Sequence, residues 1–298
     1  MRHVVTAGVP NAVTAGVPNA VTDGAASAYV RRMARGNVGP LVRQWRTQRA
    51  RSQMDLALQV GVSPRHLSFV ETGKSRPSPE LIEAIGVHLD IPLRDRNAML
   101  LAAGYAPRYG RTPLDDAALA DVVASLRRLL AAHEPYPGVV LDRQWNVVLA
   151  NAAAGRMTAG LPSHLTEPTV NVFRASLHPD GLARVTANFD DWAGYLVSQL
   201  DRLIAITNDA GLQAVRAEVL EYPAVRAAVT RRQTAPPAPT RELLVPFQLA
   251  VGDGVVSMFT TLTSFGAPRD ITLDELAVEL FFPADAASAE WFGGPSRP

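Results

Sequence analysis

Two groups of side chains in this sequence have the types and spacing to recognise another molecule. The first lies in the run SPRHLSFVETGKSR, from Ser63 to Arg76. Arg65 carries a rigid fork of N–H donors that matches the paired O6 and N7 acceptors of guanine. Pro64, Ser68 and Phe69 are its companions for base edges: an outward Phe suits a thymine methyl, or else packs against the rest of the chain. Thr72, Lys74 and Arg76 supply donors for phosphate oxygens, and so does Gln53 some way upstream. His66 either reaches a phosphate or packs inward. The second group is Asn171, Arg174 and His178, in NVFRASLHPDG. Their i, i+3, i+7 spacing puts an amide, a guanidinium and an imidazole on one helix face. Such a stripe suits a carboxylate, with Arg174 bidentate. Trp145, Phe173, Trp192 and Leu196 are candidate apolar liners for the same site. The bland alternative is that these polar groups cap and cross-link the fold.

The elements that must position the first group are legible. Residues 52–73 read SQMDLALQVGVSPRHLSFVETG. Ser52 caps one short helix with Leu56, Ala57 and Val60 on its apolar side. Gly61 suits a turn of positive φ. Ser63 caps a second helix, with Pro64 at its first position and Leu67 and Val70 facing inward. Ala57 is small because the second helix crosses close to it. Two short helices at this spacing form a helix-turn-helix, whose second helix enters the DNA major groove. Ser63, Pro64, Arg65, His66, Ser68 and Phe69 then stand on or beside its outward face. Such helices work in pairs on palindromic sites, so a homodimer on double-stranded operator DNA is expected.

Composition narrows the alternatives. The chain has 298 residues and no cysteine, so disulfides and thiolate metal sites are excluded. The six histidines are scattered, with no HExxH and no close pair in sequence, so no metal is expected. No run is apolar enough to span a membrane, and MRHVVTAGVPN is too broken to be a signal peptide. These features fit a cytoplasmic, nucleoid-associated protein. His178 with Asp180 resembles an acid/base pair, and Glu279 lies in an apolar strand, but no nucleophile motif or phosphate loop accompanies them. Gly73-Lys74-Ser75 ends like a P-loop, yet Ser68 stands where that loop needs glycine. No catalytic residue and no cofactor are therefore assigned. The net charge of +1 hides a partition. Residues 31–111 carry fourteen Lys/Arg against six Asp/Glu, and residues 112–298 fourteen against twenty-one. A basic nucleic-acid module joined to a domain with another task follows.

Along the chain, TAGVPNAV is written twice over residues 6–21, and residues 1–36 read as disordered; Met33 is a plausible alternative start. Residues 37–107 form five short helices, from about Gly39–Ala50 to Leu93–Ala103. AGYAPRYGRTPLDD marks a junction. Residues 112–292 read as α+β: a helix over about 115–132, then strand, turn, strand and helix, several helices to residue 232, a hairpin around Gly252-Asp253-Gly254, and a last strand carrying Leu276, Val278 and Leu280. An antiparallel sheet with helices across one face is expected.

The small residue Ala57, Gly61, the pair Leu67/Val70, and Glu71 followed by Gly73 and KSRPS resemble the Cro/C1 type of helix-turn-helix, also called the xenobiotic-response-element type. It implies a lambda-repressor-like five-helix bundle in which Arg46 of the first helix pairs with Glu71. Further phrases widen the resemblance: HEPYPGVVLDRQWNVVLAN, NVFRASLHPDGLARVTANFDDW and DELAVELFFPADAASAEWF stand in the order found in MmyB-like transcription regulators. From Gly39 to Phe292 the chain is similar to that family. The resemblance implies a DNA-binding domain followed by a PAS-like ligand-binding domain, in regulators of actinobacterial genes that include antibiotic biosynthesis. It also implies a small apolar or amphipathic ligand, a fatty acid among them. A C-terminal domain that serves only as an oligomerisation platform, or one that is enzyme-like, are the alternatives.

Overall fold

A computed structural model describes residues 37–234 and 244–293; the duplicated N-terminal segment lies outside them. The first module comprises α1 (Gly39–Gln48), α2 (Gln53–Gln59), α3 (Pro64–Glu71), α4 (Pro79–His88) and α5 (Leu93–Ala102). Serines 52, 63 and 78 cap α2, α3 and α4, each accepting a backbone N–H three residues on. Each cap satisfies a donor that the first helical turn leaves orphaned, worth about 1 kcal/mol. Val42, Leu56, Ala57, Leu67, Val70, Ile82 and Ile85 are fully buried in one core. Gly61 takes φ +72 at the turn between α2 and α3, and the Val62 N–H donates back to the Ala57 carbonyl at 2.9 Å.

The second module is built on a five-stranded antiparallel sheet in the order β2-β1-β5-β4-β3. Its strands are β1 (Gly138–Leu141), β2 (Val147–Ala150), β3 (Phe247–Val251), β4 (Gly254–Ser264) and β5 (Ala277–Pro283). Before the sheet comes α6 (Ala120–Ala132). Between β2 and β3 lie α7 (Ala152–Thr158), α8 (Ser163–Thr166), α9 (Val172–Leu177), α10 (Phe189–Thr207), α11 (Ala210–Glu221) and α12 (Pro223–Thr234). The short α13 (Ile271–Asp274) precedes β5, and α14 (Ala286–Gly293) follows it.

Side chains alternate across each strand. Val139 and Leu141 face a core with Phe173, Trp192, Leu196 and Leu212 from the α9–α12 side. Val140 and Val278 face Leu126 and Leu130 of α6 on the other side. Helices therefore cover both faces, not one as the sequence suggested. The amphipathic stripe of α6 needs an apolar partner, and the back of the sheet supplies it. The last helix, α14, was not anticipated: AASAEWFG carries no clear apolar period. A polar contact helps to seat it, the buried Ser288 hydroxyl accepting the Ser257 N–H at 2.9 Å.

Candidate nucleic-acid interface and the domain behind it

Everything on the inner side of α3 is committed to holding it. Arg46 of α1 grips Glu71 at its end with two hydrogen bonds, Nε to Oε1 at 2.6 Å and Nη2 to Oε2 at 3.0 Å. The third arm of that guanidinium donates to the Arg51 carbonyl at 2.8 Å. Both residues are buried, and the bond to Glu71 raises the Arg46 pKa further. The expected Arg46–Glu71 pairing is present. Gln53 was expected on phosphate, but its amide donates to Glu71 Oε2 at 2.7 Å and completes this network instead. Gly39 is a second fastening that spacing did not reveal. A Cβ there would stand 2.4 Å from the Val70 carbonyl oxygen and 2.5 Å from that of Glu71, so the start of α1 rests directly on the end of α3.

The outer side of α3 is differently placed. Pro64, Arg65, Thr72 and Lys74 are exposed; His66, Ser68 and Phe69 are half-buried. The Arg65 guanidinium lies 5.4 Å from the Phe69 ring centroid, and Lys74 Nζ 5.9 Å from it. A cationic and an aromatic group thus sit together at the front of the helix. Ser63 is used as the helix cap, accepting the His66 N–H at 3.1 Å. The Thr72 hydroxyl donates back to the Ser68 carbonyl at 2.8 Å. Arg76 departs from the expectation of a free phosphate clamp: it stacks 4.1 Å over Tyr105 and donates to the Gly104 carbonyl at 3.1 Å.

In the second module the expected stripe of Asn171, Arg174 and His178 does not form one helix face. Helix α9 is only six residues long, and Asn171 and His178 are its two caps. The Asn171 amide donates to the Gln144 carbonyl and to Asn146 Oδ1, and its oxygen accepts the Arg174 N–H. Arg174 already holds a carboxylate, Glu218 of α11, with Nε and Nη2 contacts of 2.8–3.0 Å. That pairing holds Glu218 below the usual carboxylate range. A ligand carboxylate would have to displace an internal one. The i, i+3, i+7 spacing requires a longer helix, and this one ends at Leu177, before Pro179-Asp180-Gly181. The apolar candidates do converge. Trp145, Phe173, Trp192 and Leu196 are all buried in one cluster, with Trp145 against Phe173 and Trp192 stacked 4.7 Å from Phe247.

Two polar groups in that cluster's neighbourhood are unusual. The buried Trp192 Nε1 has no hydrogen-bond partner among the described residues. Glu279 of β5 is buried, and desolvation pushes its carboxyl up to about 7, with only Thr260 opposing. A buried donor without an acceptor costs about 1–3 kcal/mol. Sequence flagged both residues but not their state, since burial is a property of the packed sheet.

The modules meet through charge. Arg143, on the β1–β2 turn, donates to Asp209 at 2.8 Å, to the Thr207 carbonyl at 2.8 Å and to Glu275 at 3.1 Å, and lies 3.6 Å from Asp95 of α5. Arg94 of α5 makes a bidentate pair with Glu275 at 2.6 and 2.7 Å. The Leu93 N–H donates to Asp274 at 2.9 Å. Gln48 and Arg49 at the end of α1 donate to the Ala205 and Ile206 carbonyls of α10. Helix α10 therefore runs from Trp192 in the sheet core to the DNA-side module. None of these residues was singled out from sequence, because each is an ordinary surface type until the two modules dock.

With this geometry in place, comparison with known families gives two matches. Residues 42–95 match the helix-turn-helix family model, and residues 122–292 match that of the MmyB-like transcription regulator ligand binding domain. No curated protein matched the chain. Among the described residues, no helix is long and apolar enough to cross a membrane.

Proposed function

This chain belongs to the MmyB-like transcription regulators, and from that premise we propose that it reads a specific operator through α3 and responds to a small apolar or amphipathic molecule held by its second module. The observation that carries the reading is the division of labour around α3. Arg46, Gln53, Glu71 and Gly39 are consumed in fixing the helix, while Arg65, Ser68, Phe69 and Lys74 are left facing outward. Arg65 is the base-reading residue, with Pro64, Ser68 and Phe69 beside it. Lys74 and the helix start at Ser63 position the phosphates, and His66 and Thr72 border them. Two copies of the chain present two such helices to a palindromic site.

The ligand is placed in the apolar core around Trp145, Phe173, Trp192 and Leu196, not on the Asn171–Arg174–His178 stripe. The indole N–H of Trp192, without a partner among the described residues, supports this, since a bound hydrogen-bond acceptor would satisfy it. A fatty acid is one member of this ligand class, its chain contributing about 0.8 kcal/mol per buried CH₂. The test starts from DNA sequences selected in solution by the full chain. Arg65→Ala is expected to weaken binding to the selected sequence by about 1–3 kcal/mol and to relax discrimination at one base pair. Equal affinity and equal discrimination in fluorescence-anisotropy titrations at fixed salt would remove Arg65 from the readout.

A further inference from the structure

We propose that His164, His178 and Asp180 form a binding site for a late first-row divalent cation such as zinc, on the surface of the second module. The sequence showed no close histidine pair, because His164 on α8 and His178 after α9 lie on separate elements. Folding brings their rings to 5.0 Å, edge to face. One ring nitrogen of each and a carboxylate oxygen of Asp180 all lie within 4.8 Å of one another. Two imidazoles and one carboxylate, with a position open to water, are a donor set that zinc and its neighbours accept.

The surroundings suit a positive ion. His178 packs edge-on against Tyr222 at 5.0 Å. The Tyr222 hydroxyl donates to Glu218 at 2.8 Å, and Glu218 already neutralises Arg174. The adjacent cation is therefore paired, and Asp180 brings its own negative charge. His164 and Asp180 are exposed, so the ion has an open path and the two ligands have room to adjust.

Adjustment is needed. Metal–ligand distances of about 2.0–2.2 Å allow two ligands to be at most about 4.4 Å apart, and about 3.4 Å apart in a tetrahedron. From separations of up to 4.8 Å, the cluster must draw in by up to about 1.4 Å. His178 Nδ1 also accepts the Asp180 N–H at 3.0 Å, and the ion would take that lone pair. The freed N–H lies in a turn beside the exposed Asp180, where water can satisfy it. Occupation would tie α8 to the turn after α9, next to the Arg174–Glu218 pair.

The experiment is calorimetric titration of zinc chloride into chelator-treated full chain, with cobalt(II) absorption as a second probe. One zinc per chain is expected, with tetrahedral cobalt bands in the visible region. His164→Ala should weaken zinc binding by at least about tenfold and abolish the cobalt bands. Asp180→Asn, which keeps the shape of the turn, should weaken it to a smaller extent. No stoichiometric uptake by the wild-type chain would overturn the proposal. So would uptake that neither substitution changes, which would place the ion at other histidines.

Discussion

At the scale of single residues, the most instructive group is Glu279. Its neighbours across the sheet are Val139 and Leu262, and burial pushes its carboxyl from 4.5 to about 7. The folded chain therefore holds this proton more tightly than the unfolded chain does. Stability tied to Glu279 is complete below about pH 4.5 and is lost as pH rises through 7. Glu279→Gln keeps the shape and removes the charge. Its melting temperature should exceed that of the wild type at pH 8, by an amount equivalent to at most about 3 kcal/mol, and the gap should close as pH falls toward 4. A gap independent of pH would mean that desolvation of this carboxylate is not what the fold contends with. Arg46 and Glu71 show the opposite solution to burial: each hydrogen bond is made and each charge is balanced.

At the scale of elements, the position of α3 depends on α1 as much as on its partner in the motif. Gly39 lets the first turn of α1 approach the Val70 and Glu71 carbonyls. Gly39→Ala puts a methyl group into backbone that cannot swing aside. It should destabilise the first module by about 1–3 kcal/mol and weaken DNA binding, read by thermal melting and by titration with selected DNA. Unchanged values of both would show that α3 is held without this contact. The same elements mark what a sequence can reveal. Ser52, Ser63, Gly61 and the pair Leu67/Val70 encode α2 and α3 locally, through capping, φ and period, and those helices were legible. So were the strands of the hairpin and of β5. The coverage of both sheet faces was not, because the amphipathic α6 can be read as a helix without saying which surface it covers. The shared helix face of Asn171, Arg174 and His178 was not legible for a local reason, the early end of α9 before Pro179, and the pairing of Arg174 for a distant one, Glu218 arriving from α11.

At the scale of the whole molecule, the basic first module and the acidic second one divide the work between polyanion and ligand, and the charges that join them belong to both. On α5, Arg94 pairs with Glu275, Asp95 lies near Arg143 and the Leu93 N–H donates to Asp274, while Arg143 in turn holds Asp209 and Glu275. Asp95 is pushed up to about 6 by its burial there. Ligand-driven movement of α10, whose far end Arg49 touches, would reach the DNA-side module through this junction. A ligand shifts that placement only if it binds two arrangements with different affinity. The claim beneath all of this is that α3 lies in the major groove, twice per operator. The chain has no cysteine, so Ser68→Cys gives a unique anchor for a DNA-cleaving iron chelate on the outward face of α3. The cleavage pattern on selected DNA should show two clusters of cuts about one helical turn apart, each at the major groove of a half-site. Cuts scattered without reference to sequence, or none at all, would contradict the assignment of α3 as the reading helix.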